Sequence, residues 1–86
     1  MAVCIILRQD VATKRMQPAS GPKGEKTWSD RKKAEAEQSR MRFRDEGGWY
    51  CVYTDIFASW DQASQFCSHF NAGMSIDKAM RLVRGH

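Results

Sequence analysis

Three stretches of this sequence carry residue types that could do chemistry. Gly21-Pro22-Lys23-Gly24-Glu25-Lys26-Thr27 has the ingredients of a phosphate-binding loop. Such a loop needs Gly directly before Lys, so that backbone N–H groups can wrap the phosphates. Here Glu25 intrudes between Gly24 and Lys26 and would put a carboxylate where anions bind. The stretch therefore reads as a solvated loop. Cys67 and His69 suggest a thiol–imidazole pair or half a zinc site. Two positions along a helix are about 200° apart around its axis, so the two side chains diverge. No second pair stands at zinc-ligand spacing, and no Ser, His and acid form a recognisable nucleophile motif. The expectation is no catalytic residue, no metal, no cofactor and no enzyme activity, since a substrate pocket needs volume that a short chain seldom supplies.

The third stretch is the densest basic tract, residues 31–44, with Lys32, Lys33, Arg40, Arg42 and Arg44. Trp28 and Phe43 are its aromatic neighbours. Bases beside aromatics can hold phosphates and stack on nucleobases, or bind acidic protein surfaces with an aromatic as anchor. On a helix, Lys33, Arg40 and Arg44 share one side; on a hairpin, Arg42 and Arg44 share one strand face. Glu35 and Glu37 interrupt the tract, and Glu37 can pair with Arg40 at i,i+3 on a solvated face. The candidate binding residues are Trp28, Lys32, Lys33, Arg40, Arg42, Arg44 and Tyr50. Trp28 and Tyr50 serve as anchors on condition that they are exposed.

Composition sets the frame for these residues. The chain has 86 residues, 14 Lys plus Arg against 10 Asp plus Glu, and a formal charge of +4. That suits one small domain over 1–86, one that buries about 60–65% of its unfolded surface. With 42% hydrophobic and 10% aromatic residues the composition is that of a globular chain, not a disordered one. Residues 1–44 hold eleven bases and five acids; residues 45–86 hold three bases and five acids. Eight of the nine aromatics fall between Phe43 and Phe70, so the second half is expected to supply most of the core and the first half the basic surface. The longest apolar run, Ala2 to Leu7, is too short for a membrane helix or a signal-peptide core. No lipidation motif is present. Three widely spaced cysteines, Cys4, Cys51 and Cys67, are not a disulfide framework. The expected location is the cytoplasm, with no membrane partner.

The elements that must position the candidates follow from pattern. Ala2-Val3-Cys4-Ile5-Ile6-Leu7 reads as a strand buried on both faces. The breaker cluster from Gln17 predicts a mobile loop over about 17–27. Thr27 with Asp30 resembles a capping box, so a helix should follow from about Trp28. Its apolar stripe is thin, which places it on the surface. Met41 and Phe43 alternate with Arg42 and Arg44 at the period of a strand, and Asp45-Glu46-Gly47-Gly48 is turn chemistry. A hairpin joining this segment to Trp49–Thr54 is the favoured reading, with the helix ending near Ser39; the rival extends the helix to Arg44. Ser59 and Gln62 make a capping box ahead of Trp60, Ala63, Phe66, Cys67 and Phe70 at helical spacing. Asn71-Ala72-Gly73 stops that helix. Ser75 caps the next, with Ile76, Ala79, Met80 and Val83 on its apolar face. The fold class is α+β: a small antiparallel sheet, made of the N-terminal strand plus a central hairpin, packed against two to three helices on one face.

Residues 72–83 resemble the turn and second helix of bacterial helix-turn-helix repressors. The order strand, helix, Gly turn, Ser-capped helix from Trp49 to Arg84 is similar to ribbon-helix-helix repressors. The first resemblance implies DNA binding by the last helix, through Lys78, Arg81 and Arg84; the second implies groove contact by polar side chains of the strand, such as Tyr50 and Thr54. In build alone the chain looks like the short proteins that phages and other mobile elements use to block host defence or transcription complexes, of which anti-CRISPR proteins are the best-known group. Two functions are thus expected. One is a non-enzymatic basic interaction protein whose partner is a host protein or a protein–nucleic acid complex. The other is a direct DNA- or RNA-binding regulator, using the C-terminal helix pair or the tract 31–44.

Overall fold

The computed structural model describes residues 3–84. Ala2, at the head of the expected first strand, lies outside them. The order is β1 (Cys4–Asp10), β2 (Met16–Ala19), α1 (Arg31–Arg44), β3 (Gly48–Thr54), α2 (Trp60–Asn71) and α3 (Ile76–Arg84). The strands form one antiparallel sheet in the order β2-β1-β3. The expected α+β class with a small antiparallel sheet is what the chain forms.

The hairpin is not where sequence pattern placed it. It joins β1 to β2, with Gln9 opposite Met16 and Ile6 opposite Ala19, and β3 pairs with β1 from Cys4 opposite Thr54 to Asp10 opposite Gly48. Residues 40–44 belong to α1 instead. The reason is packing. Met41 turns inward against Tyr50 and its neighbours, whereas Phe43 is left 90% exposed. Positions two apart point to opposite sides of a helix as well as to the same side of a strand, so the alternation carried both readings. The loop expected over 17–27 also starts later, because residues 16–19 are strand.

Side chains alternate across β1. Ile5 and Leu7 face α2 and α3 in a cluster with Phe57, Ala63, Phe66, Cys67, Ala79 and Val83. Cys4 and Ile6 face α1 with Trp28, Ala34 and Tyr50. Helices therefore cover both sheet faces, not one. The wholly apolar run at the start of β1 required this. The small side chain of Ala34 is fully buried and lets α1 approach the sheet although it has almost no apolar stripe.

Local chemistry fixes the helix ends. Asp30 caps α1 by accepting from the Lys32 N–H at 2.9 Å, so the helix starts at Arg31, three residues later than Trp28. Ser59 accepts from the Gln62 N–H, and Gln62 Oε1 accepts from the Ala58 N–H at 2.8 Å. After α2, Gly73 adopts φ +105 while Met74 N–H donates to the His69 carbonyl and Gly73 N–H to that of Phe70. This double bond pattern ends a helix through a left-handed residue. Ser75 caps α3 at Lys78 N–H. Ile76, expected on the apolar face of α3, is 53% exposed; Ala79 and Val83 are the residues α3 buries.

Asn71 does more than end a helix. Its side-chain oxygen accepts from Met16 N–H at 2.7 Å and its amide donates to Met16 C=O at 2.8 Å, fastening β2 to α2. Asn71→Ala strands both half-buried backbone groups. We expect a loss of about 1–2 kcal/mol, read as a lower urea midpoint with unchanged slope.

Candidate basic interface on the first helix

Arg31–Arg44 is built from good helix formers and is almost wholly polar. Six of its residues are basic and two acidic, so α1 alone carries +4, as much as the whole chain. Arg42 and Arg44 sit in the last turn, where cations suit the helix dipole. At about 100° per residue, Ala34 and Met41 face the sheet while Lys32, Ser39 and Phe43 form the opposite ridge. Arg31, Glu35 and Arg42 flank that ridge on one side, and Lys33, Arg40 and Arg44 on the other. Phe43 is thus an exposed aromatic between two basic flanks, one of them interrupted by Glu35, on a rod roughly 21 Å long.

Intrachain pairing divides the cations. Arg31 meets Glu35 at 3.4 Å, and Arg40 is bonded to Glu37. Among the described residues, no ion pair engages Lys32, Lys33, Arg42 or Arg44. Those four are available to a partner, whereas Arg40 is already committed. Glu37 is mostly buried, and its second oxygen has no hydrogen-bond partner among the described residues.

The two expected aromatic anchors are inside. Trp28 is 7% exposed, because its N–H and C=O pair with Cys4 at 2.9 and 2.8 Å and draw the indole over Ala34 and Ile6. Tyr50 is 9% exposed. Its hydroxyl donates to Asp45 Oδ2 at 2.6 Å, and its carbonyl accepts from Gln38 Nε2 at 2.6 Å. Burial raises the Tyr50 phenol, and the Asp45 carboxylate adds to the shift. Neither residue can anchor a partner without unfolding this layer. Phe43, on the outer ridge of α1, is the exposed aromatic of this region. The signal for it lay in the helix wheel: once the helix runs to Arg44, Phe43 falls opposite Ala34.

The alternative set, Lys78, Arg81 and Arg84, is exposed on the outer side of α3, together with Asp77. It lies across the sheet from α1, so the two basic surfaces face away from each other. The phosphate-loop look-alike has its own occupant: Glu25 Oε1 accepts from the Lys23 N–H at 2.9 Å. Cys67 is buried in the α2 layer, which pushes its thiol up to about 11. No group of three or more His, Cys, Asp or Glu that could hold a metal occurs among the described residues. No helix among them is long and apolar enough to cross a membrane. Compared with protein-family models, curated proteins and solved structures, the chain matches none.

Proposed function

We propose that this is a non-enzymatic interaction protein of the cytoplasm that docks the outer face of α1 on an acidic surface of a partner protein or protein–nucleic acid complex. One observation carries the reading: Phe43, 90% exposed, stands between Arg42 and Arg44, neither of which has an ion pair among the described residues. An exposed aromatic among arginines is the composition that dominates protein-interface energetics. Folding leaves both the apolar surface and the charges for something else to cover. A small rigid body of this kind suits a blocking role, such as inhibition of a host defence or transcription complex by a phage or other mobile element. The second reading is direct nucleic-acid binding. It is favoured by the outward cations Lys78, Arg81 and Arg84 on α3.

The test compares the wild-type chain with three variants: Lys32→Glu/Arg42→Glu/Arg44→Glu, Phe43→Ala, and Lys78→Glu/Arg81→Glu/Arg84→Glu. Each is used to capture partners from host lysate and is titrated against duplex DNA, single-stranded DNA and RNA at two salt concentrations. We expect the α1 triple variant to lose the captured partner and Phe43→Ala to weaken it by about 30-fold, the scale of an interface anchor. The α3 variant should retain it. Both α1 variants should unfold like the wild type, because these side chains are exposed. An unchanged partner set would reject the α1 reading. Nucleic-acid affinity that falls steeply with salt and disappears with the α3 variant would establish the second reading in its place.

A further inference from the structure

The two edges of the sheet differ. On β1, Cys4 bonds sideways to Trp28 and Asp10 N–H to Arg15 C=O, whereas Val3 C=O accepts from Asp55 N–H and Val11 N–H donates to Gly47 C=O. By alternation, Ile5, Leu7 and Gln9 bond toward β3. On β2 the outward groups are therefore those of Met16 and Pro18. Met16 is held on both backbone groups by Asn71, and proline has no N–H to offer. That edge is closed.

The β3 edge has no strand paired beyond it. Trp49, Cys51 and Tyr53 spend their backbone groups on β1 through the register with Gln9, Leu7 and Ile5. Gly48, Tyr50, Val52 and Thr54 turn theirs away from β1; Val52 and Thr54 are half-exposed, whereas Gly48 and Tyr50 are buried. Among the described residues, the only side chain bonded to those outward groups is Gln38, on the Tyr50 carbonyl, which keeps a second lone pair. The strand is seven residues long with neither a charge nor a proline, the devices that normally blunt an edge. On its α2–α3 side, Trp49 is 56% exposed and Cys51 is also exposed.

We infer that β3 pairs antiparallel with β3 of a second copy about a two-fold axis at Cys51, joining two sheets into one of six strands. The strand is self-complementary in this register. Tyr50 and Val52 exchange N–H and C=O with Val52 and Tyr50 of the other copy. Trp49 falls opposite Tyr53 of the other copy, twice. These are positions without a backbone bond between them, where side chains approach most closely and aromatic pairs contribute most. Cys51 meets its own counterpart on the axis, with Cα atoms about 4.5 Å apart, inside the range a disulfide spans. Both α1 helices then lie on the same side of the joined sheet, so one dimer presents two basic faces to one partner. An extended peptide of another protein would use the same edge but would not leave two copies associated.

Sedimentation velocity of the full chain in reducing buffer, across a concentration series, reads the mass directly. We expect a shift from one chain to two as concentration rises. Cys51→Ser should keep it. Cys51→Lys, which sets two ammonium groups on the axis, and Val52→Pro, which removes an outward N–H, should each abolish it with the circular dichroism spectrum unchanged. Should either variant unfold, Trp49→Lys supplies the same test from an exposed position. In the wild type, copper(II)–phenanthroline as oxidant should take two electrons per Cys51–Cys51 bond while the two thiol protons pass to the buffer, giving a covalent dimer that Cys51→Ser lacks. Cys4 and Cys67 are buried and should not link. A single-chain mass at every concentration would overturn the inference. So would a dimer that survives both Cys51→Lys and Val52→Pro, or one abolished instead by Ile76→Lys or Leu82→Lys on α3.

Discussion

Phe66→Ala should lower the unfolding free energy by about 3–5 kcal/mol, the range for emptying a core aromatic site. The side chain is 1% exposed and lies between Phe57, at 5.4 Å between ring centroids, and Phe70, at 6.5 Å. Tyr53 continues the row at 5.6 Å from Phe57. Truncation removes the transfer energy of the ring and both ring–ring contacts, each contributing about 0.5–1.5 kcal/mol beyond area. It also leaves a void between α2 and the sheet that Ile5 and Leu7 are held too firmly by β1 to fill. A chain of this length has about 4–13 kcal/mol in total, so the variant should be partly unfolded near physiological temperature. Phe43→Ala is the internal control: the same chemical change at a 90% exposed site should stay within about 0.5 kcal/mol. Urea titrations of the two variants decide the matter. A loss below about 1.5 kcal/mol at Phe66 would mean that the α2 layer is not the centre of the fold.

The parts of this fold that were legible in the sequence are those where local chemistry and burial agree. The strand at Cys4–Leu7 was readable because the six-residue apolar run from Ala2 to Leu7 leaves no solvent face. The helices at Trp60 and Ile76 were readable because Ser59, Gly73 and Ser75 mark their ends and apolar spacing marks their faces. The segment at Met41–Arg44 was not, because four residues cannot distinguish period 2 from period 3.6 when only one apolar side chain is buried. β2 was hidden for another reason. Met16-Gln17-Pro18-Ala19 has no strand propensity and exists because β1 templates one side while Asn71, 55 residues later, holds the other. Such long-range hydrogen bonds leave no mark in a local pattern.

The candidate site was legible in charge and illegible in exposure. Lys32, Lys33, Arg42 and Arg44 are where the tract predicted a basic surface, because a helix that turns only Ala34, Met41 and their near neighbours inward has to show most of itself to solvent. Exposure of the aromatics is not legible because Trp28, Phe43 and Tyr50 are all large rings beside charges, and only tertiary packing decides which of them is covered. Cys4 captures Trp28 by backbone pairing, and Asp45 captures the Tyr50 hydroxyl. Phe43 has neither partner.

Gly48→Ala should destabilise the protein by about 2–4 kcal/mol, combining overpacking with loss of a charge-assisted hydrogen bond. A Cβ at position 48 would stand 2.5 Å from Arg8 Nε and 2.9 Å from its Cζ. Arg8 cannot simply swing aside. Its Nε donates to Asp45 Oδ2 at 2.7 Å, and its Nη1 lies 3.4 Å from Asp10 Oδ2. Asp45 in turn accepts from the Tyr50 hydroxyl at 2.6 Å and, through Oδ1, from the Gly47 N–H at 3.0 Å. The cluster thus ties the end of α1 to both β1 and β3, and glycine at 48 is what leaves room for it. A double-mutant cycle isolates this cause. In an Arg8→Ala background the penalty of Gly48→Ala should nearly vanish, since the clashing atoms are gone; an undiminished penalty would place the strain in the backbone instead. Acid titration gives a second readout. Chiefly through the Arg8 hydrogen bond and then that of Tyr50, Asp45 is held down at about 2, from an ordinary 3.8. Its native carboxyl therefore binds fewer protons than the unfolded one. Its contribution is complete above about pH 4 and is lost as pH falls toward 2. Asp45→Asn should remove that part of the acid slope while Phe66→Ala leaves it in place, so the two variants separate core packing from the polar clasp beside it.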